Sequence, residues 1–150
     1  MIILNKKAQE ILFKKLDKLI DEQSEMEKTF VRILDYTNRQ TFICEGPNAK
    51  ALGMKFGRSK FWVLKGSLAR IENTNTFKTY LKKREGLIKN KVLTKSANKG
   101  SYCFVRNVLF DSPSAASSVI LGKESSGKQD WRTIGGTKLG DLLKISDIFI

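Results

Sequence analysis

The chain has 150 residues and a formal net charge of +13, from 28 lysine and arginine residues against 15 aspartate and glutamate residues. Its length suits one domain with a short appendage, and its apolar fraction of 41% is ordinary for a globular protein, which argues against disorder. It has no histidine and so lacks the commonest general base and metal ligand, and we expect neither a metal site nor a cofactor.

The first predicted element is an amphipathic helix over residues 6–20. Its apolar residues recur with helical spacing, and lysines and acids occupy the other face. The apolar positions are Ala8, Ile11, Leu12, Leu16, Leu19 and Ile20. Residues 1–28 carry six basic and six acidic side chains. We therefore predict an N-terminal helical appendage at 1–28, packed on its own domain or paired with a partner helix, ahead of a compact domain at 29–150.

Two strands are predicted next, at residues 30–35 and 41–45, because both stretches are rich in apolar, β-branched and aromatic residues. Gly46-Pro47-Asn48 ends the second strand. Residues 49–54 are predicted to form a short helix or turn, and residues 61–64 a further strand.

A helix is predicted from residue 77 to about residue 90, with Thr76 as its cap and its lysines facing outward. The residues expected to face inward are Phe77, Tyr80, Leu81, Leu87 and Ile88. Strands at 92–93 and 102–105 are expected to flank a turn at 96–100.

The strongest local signal is Ser112-Pro113, a hydroxyl cap followed by proline at the first helical position. The helix that it starts is expected to run to about Leu121 and to end at Gly122. A short strand holding Trp131 and a last helix capped by Thr137 complete the chain. The alternation of short antiparallel strands and helices predicts a compact, mixed α+β domain.

The whole charge excess lies in residues 48–106, which carry fifteen basic and two acidic side chains. Like charges crowded on one surface repel each other, and a polyanion that loses its counterions there offsets the cost. Nucleic acid is therefore the expected partner, and an acidic protein stays open. An anionic membrane is disfavoured, because the basic residues do not follow one amphipathic helix.

Eight basic residues of this segment are the expected phosphate contacts: Arg58, Lys60, Lys65, Arg70, Lys78, Lys82, Lys83 and Arg84. Ser112 and Ser114 either place a phosphate at a helix N-terminus or belong to an ordinary capped helix. Trp131 has polar neighbours and is the better candidate to stack on a base, whereas Trp62 lies in an apolar run typical of a core.

Other classes of function find little support in the residues. The glycines do not match the spacing of a phosphate-binding loop, and the carboxylates are too scattered for a metal-dependent nuclease. We expect no enzymatic activity. No apolar run approaches the roughly 18 residues that span a bilayer, so a cytoplasmic protein is expected, with Cys44 and Cys103 as buried free thiols.

Two segments carry a resemblance to a known family. Ser112-Pro113-Ser114-Ala115-Ala116, with Gly122 and Trp131 after it, resembles a bacterial domain of unknown function, and so does Phe61-Trp62-Val63-Leu64-Lys65-Gly66-Ser67. That domain is found at the C-terminus of many GIY-YIG-type nuclease proteins and as stand-alone chains. It is similar to the RAMA (restriction enzyme adenine methylase associated) domain. The resemblance covers roughly residues 29–145.

RAMA domains are implicated in recognising modified DNA, so the resemblance implies a role in restriction or phage defence. The family's Asn-Gly turn is Ser126-Gly127 here, and without a GIY or YIG element the resemblance implies no nuclease activity. We expect a non-catalytic nucleic-acid-binding module, with double-stranded DNA favoured over RNA. The alternative is a protein that binds a nuclease or a phage-defence complex as inhibitor or accessory factor, and an RNA-binding protein associated with ribosomes also stays open.

Overall fold

The computed structural model describes Glu25 and residues 40–147, with side chains up to Lys144. Within these residues the strands are β1 (Thr41–Gly46), β2 (Ala49–Phe56), β3 (Lys60–Val63), β4 (Leu68–Arg70), β5 (Leu93–Lys95), β6 (Ser101–Phe104), β7 (Val108–Phe110) and β8 (Arg132–Thr133). The helices are α1 (Leu81–Lys89), α2 (Pro113–Leu121), α3 (Gly127–Asp130) and α4 (Leu139–Asp147). The predicted helix at 6–20 and the predicted strand at 30–35 lie outside the described residues.

The chain divides into two compact units, residues 38–142 and a second made of 1–37 with 143–150. The first unit contains all eight described strands, which form one antiparallel sheet in the order β5-β6-β4-β2-β1-β8, with β3 between β2 and β7. An antiparallel sheet with separate helices is the α+β class that the sequence predicts.

The long strand β2 organises this sheet. It pairs with β1 along one edge, from Ala49 opposite Gly46 to Met54 opposite Thr41. Along the other edge it pairs first with β4 and then with β3. The link between those two strands bulges out, and Ser67 fixes it: the Leu52 N–H donates to Ser67 Oγ at 3.0 Å, and Ser67 Oγ donates to the Leu52 carbonyl at 3.3 Å. The Leu64 N–H also donates to the Leu52 carbonyl, at 2.9 Å, so one hydroxyl and one backbone hydrogen bond hold this link against β2.

Helix α2 covers the inner face of the sheet. The buried side chains of that face include Phe42, Cys44, Phe61, Val63 and Ala69, and those of α2 include Ala115, Ala116, Val119 and Ile120. The predicted ends of this helix are confirmed. Ser112 Oγ accepts from the Ala115 N–H at 3.0 Å, and Gly122 ends the helix with φ +67°, a left-handed conformation that suits glycine.

The predicted short helix or turn at residues 49–54 is wrong, because this segment is the start of β2. Its burial alternates: Ala49, Ala51 and Gly53 are buried, while Lys50 and Leu52 are exposed. Burial that alternates with a period of two is typical of a strand. The buried residues here are alanine and glycine, whose small side chains give only a weak hydrophobic pattern in the sequence.

The helix predicted from residue 77 begins four residues later, at Leu81, and Thr76 does not cap it. The backbone N–H groups of Lys78 and Thr79 donate instead to Glu124 Oε1, at 3.0 and 2.9 Å. A carboxylate from a distant loop therefore holds residues 78 and 79 in a turn ahead of the helix. These hydrogen bonds lower the pKa of Glu124.

The remaining predicted elements agree with the structure in part and differ mainly in where they begin and end. The hairpin around residues 96–100 is confirmed as β5 and β6, whereas β4 and β7 were not predicted. Trp131 follows the one-turn helix α3 and precedes β8, and the last helix starts at Leu139. No described helix is both long and apolar enough to cross a membrane.

Candidate nucleic-acid interface

Most basic side chains of residues 48–106 lie on the surface without an acidic partner. Twelve of the fifteen are exposed, and eleven of these twelve have no carboxylate within 4 Å among the described residues. They are Lys50, Arg58, Lys65, Lys78, Lys82, Lys83, Lys89, Lys91, Lys95, Lys99 and Arg106. Arg58, Lys65, Lys78, Lys82 and Lys83, five of the predicted phosphate contacts, are therefore open to solvent.

Two other predicted contacts form weak ion pairs at the surface. Lys60 Nζ lies 3.5 Å from Asp111 Oδ1, and Arg70 lies 3.3 Å from Glu72 Oε2. Both carboxylates are well exposed, so the pairs are screened by water and salt and would yield to a phosphate at little cost.

Arg84 does not belong to this surface. The prediction that it contacts phosphate is wrong, because the side chain is buried. It is 1% exposed, and its guanidinium donates to the backbone carbonyls of Arg70, Ile71 and Val119. Burial lowers its pKa. The side chain joins α1 to β4 and α2, and a phosphate has no path to it.

Trp131 is also part of the core, so it does not stack on a base as predicted. It is 0% exposed, and its ring centroid lies 4.4 Å from that of Phe61. Its indole Nε1 donates to the Pro113 carbonyl at 3.0 Å. A buried indole usually finds such a partner, and the hydrogen bond fixes Trp131 beneath the start of α2.

The start of α2 is likewise used inside the fold. Ser112 caps the helix, and Ser114 Oγ accepts from the Gly127 N–H at 2.9 Å. A Cβ atom at Gly127 would lie 2.5 Å from Pro113 Cβ and 2.6 Å from the Ser114 nitrogen. The backbone of α3 therefore occupies the space that a phosphate at this helix N-terminus would need, and the alternative of an ordinary capped helix holds for both serines.

Three further polar groups bind the same loop to α2. Ser117 and Ser118 are 0% exposed. Ser125 Oγ donates to the Asp130 carboxylate and lies 2.7 Å from Ser117 Oγ, from which it can accept, while the Ser125 N–H donates to Ser118 Oγ at 3.1 Å. Each buried hydroxyl thus has a partner, as burial requires. The serine-rich motif is a structural device that attaches residues 125–130 to the helix.

The outer face of the sheet, opposite α2, is a surface that sequence reasoning missed. Its residues alternate with the buried ones, and the strand register places them in rows. We define this outer face as Thr41, Ile43, Glu45, Lys50, Leu52, Met54, Phe56, Lys60, Trp62, Leu68 and Leu109. It carries exposed apolar side chains, Leu52 at 42% and Phe56 at 54%, beside exposed lysines. The signal in the sequence is the alternation from Lys50 to Phe56.

Neither cysteine is paired within the described residues, as predicted. Cys44 is buried, whereas Cys103 is only partly buried. The described part of the chain also has no group of three histidine, cysteine, aspartate or glutamate side chains that could hold a metal ion.

A family model for a domain of unknown function, DUF4357, matches residues 42–143. The chain belongs to this family. The DUF4357 match starts at the first buried residue of β1 and ends within α4, so it contains the sheet, α2 and the loop that α2 holds. No curated protein and no solved structure matches the chain.

One turn of this DUF4357 chain differs from the resemblance at a single residue. Ser126 stands where the resemblance leads one to expect asparagine, and its side chain makes no capping hydrogen bond to α3. The next residue is Gly127, where the approach of Pro113 leaves no room for a Cβ atom.

Proposed function

We propose that this DUF4357 chain is a non-catalytic module that binds nucleic acid, with DNA as the expected ligand. The observation that carries the proposal is the set of eleven exposed basic side chains in residues 48–106 that have no acidic partner among the described residues. Such a set repels itself in the folded protein, and phosphates relieve that repulsion while releasing their counterions.

The resemblance to RAMA domains extends the proposal to duplex DNA in restriction or phage defence. The burial of Trp131 removes the one base contact that the sequence suggested for modified DNA. Selection of methylated adenine would have to use other side chains, and equal affinity for methylated and unmethylated duplexes of one sequence would remove this part of the proposal.

The salt dependence of DNA binding tests the central proposal. We expect the intact chain to bind a labelled 20-base-pair duplex in fluorescence anisotropy, with an affinity that falls steeply between about 50 and 200 mM salt. The double variant Lys78→Gln/Lys82→Gln should lower the slope of log K against log salt by about 2, or about 1 for each lost phosphate contact.

The matched control is Lys123→Gln/Lys128→Gln, which removes two exposed charges from the charge-balanced C-terminal third. We expect its slope to match that of the unsubstituted protein. Absence of binding at 50 mM salt would overturn the proposal, and co-purification with a nuclease or defence complex would then favour the role of a protein-binding inhibitor or accessory factor.

A further inference from the structure

We propose that the outer face of the sheet binds unpaired nucleobases, which stack on Phe56 and Trp62 while the flanking lysines and Arg58 neutralise the adjoining phosphates. This inference rests on the proposed function and names the surface and the form of nucleic acid that it takes. A single strand and a base extruded from a duplex share this chemistry.

The strand register brings the two rings together. Met54 is opposite Trp62, and Phe56 is opposite Lys60, so Phe56 and Trp62 are diagonal neighbours on one face. Their ring centroids are 6.2 Å apart at an interplanar angle of 65°, an edge-to-face contact. Phe56 is 54% exposed and Trp62 is partly exposed, so both offer ring surface to a ligand.

A buried lysine holds the hairpin turn that follows Phe56. Lys55 is 5% exposed, and its Nζ donates to the Arg58 carbonyl at 3.0 Å. Burial lowers the pKa of this ammonium. The hydrogen bond holds the turn between β2 and β3, in which Arg58 is exposed, two residues after Phe56. Such preorganisation lowers the entropy lost on binding.

Basic side chains lie on both sides of the rings. Lys60 is opposite Phe56 at one end of the face. At the other end, Lys50 and Lys65 line a groove of about 320 Å³ whose floor includes Leu52 and Leu68. Rows two residues apart on a strand are separated by about 6.8 Å, so several phosphates of an extended strand fall within reach of these charges.

The same charges argue against the other occupants of an apolar sheet face. Among the described residues, the acidic side chains on and beside this face are Glu45, opposite Lys50, Asp111, paired with Lys60, and Asp130, which lines a pocket with Ile43 and Arg132. They are outnumbered by Lys50, Arg58, Lys60, Lys65 and Arg132, so basic groups remain in excess. A second copy of the chain would bring two such sets of basic residues together and be repelled. A duplex offers no free ring faces, because its bases already stack on each other, whereas unpaired bases do.

Tryptophan fluorescence provides the test, because the chain has two tryptophans and Trp131 is buried. We expect a 20-nucleotide thymidine strand to quench the emission of the full chain in a saturable way, and Trp62→Leu to abolish that change. Phe56→Ala should weaken binding of this strand about tenfold or more, since each stacked base contributes substantially. Phe56→Tyr should retain binding.

Two comparisons separate the outcomes. Ile134→Ala truncates an apolar side chain that is 78% exposed and lies outside the defined outer face, and it should bind the strand like the unsubstituted chain. A fully paired 20-base-pair duplex should be insensitive to Phe56→Ala, whereas a duplex with a five-nucleotide bulge should be sensitive.

Each failure has its own meaning. If the strand and the duplex bind but neither Phe56→Ala nor Trp62→Leu affects the strand, the inference is overturned and the proposed function stands. If neither probe binds at 50 mM salt, both are overturned. A dimer in sedimentation that Phe56→Ala dissociates would assign the face to a second copy and would also overturn the inference.

Discussion

Arg84 illustrates how one residue of a basic run can belong to the core. It follows Lys82 and Lys83, which are exposed, yet it is among the most buried side chains of the described residues. Its planar guanidinium can donate to several carbonyls at once, which a lysine cannot do. The ring of Tyr102, 5.5 Å from Arg84 Cζ, adds a cation–π contact.

We expect Arg84→Ala to lower the free energy of unfolding by about 3 kcal/mol, because three buried carbonyls lose a charged donor. Arg84→Lys should recover only part of this loss, since one ammonium group cannot reach the three carbonyls that the planar guanidinium contacts. Urea unfolding followed by circular dichroism measures the change. The exposed Lys82→Ala is the control, and an equal loss for both alanine variants would contradict the structural role of Arg84.

Cys44 is predicted to be chemically inert in the folded protein. Burial raises its pKa to about 12 from an ordinary value near 9, and the nearby Asp130 carboxylate adds to the shift. Iodoacetamide at pH 8 should therefore leave Cys44 unmodified until the chain unfolds in urea, as mass spectrometry can show. Modification of Cys44 in the native chain would contradict this expectation.

The sign of the pH effect follows from the same shift. The folded state holds the Cys44 proton more tightly than the unfolded chain, so the thiol's contribution is complete below about pH 9 and is lost as the pH rises toward 12. The difference in unfolding free energy between the unsubstituted chain and Cys44→Ala should shrink over that interval.

At the scale of elements, the attachment of α3 to α2 depends on one glycine. Gly127→Ala should lower the free energy of unfolding by about 1–3 kcal/mol, because its Cβ would overlap the backbone and ring of Pro113. Gly135→Ala is the matched control: its Cβ would meet no atom closer than 3.9 Å. Thermal unfolding of both variants measures the difference, and similar melting temperatures would contradict the close packing.

The elements show which local signals can be predicted from sequence. Helix α2 was predicted almost to the residue, because Ser112-Pro113 and Gly122 fix its ends by local chemistry. Strand β2 was missed because its buried positions are two alanines, a glycine and a lysine, which make the alternation along the strand a weak signal. The start of α1 was misplaced because Glu124, far away in the chain, sets it.

At the scale of the whole molecule, the distribution of charge along the sequence predicted a basic surface but not which basic residues lie outside it. The charge of residues 48–106 predicted the exposure of Lys78, Lys82 and Lys83, since lysines are rarely buried. It could not separate Arg84 from them. The exposure of the two tryptophans was predicted wrongly: Trp131 is buried against Phe61, whereas Trp62 is only partly buried and lies on the outer face.

The pairing of β1 with β8 links the two ends of the matched domain, where Phe42 is opposite Thr133. The strands that precede α2 can pair during synthesis. Their inner face remains exposed to solvent until the residues of α2 have been synthesised. Sealing the core is therefore a late event in synthesis. The pairing of β1 with β8 joins residues far apart in the chain, and the entropy lost in bringing them together slows folding. We therefore expect slower folding than for a helical bundle of similar size.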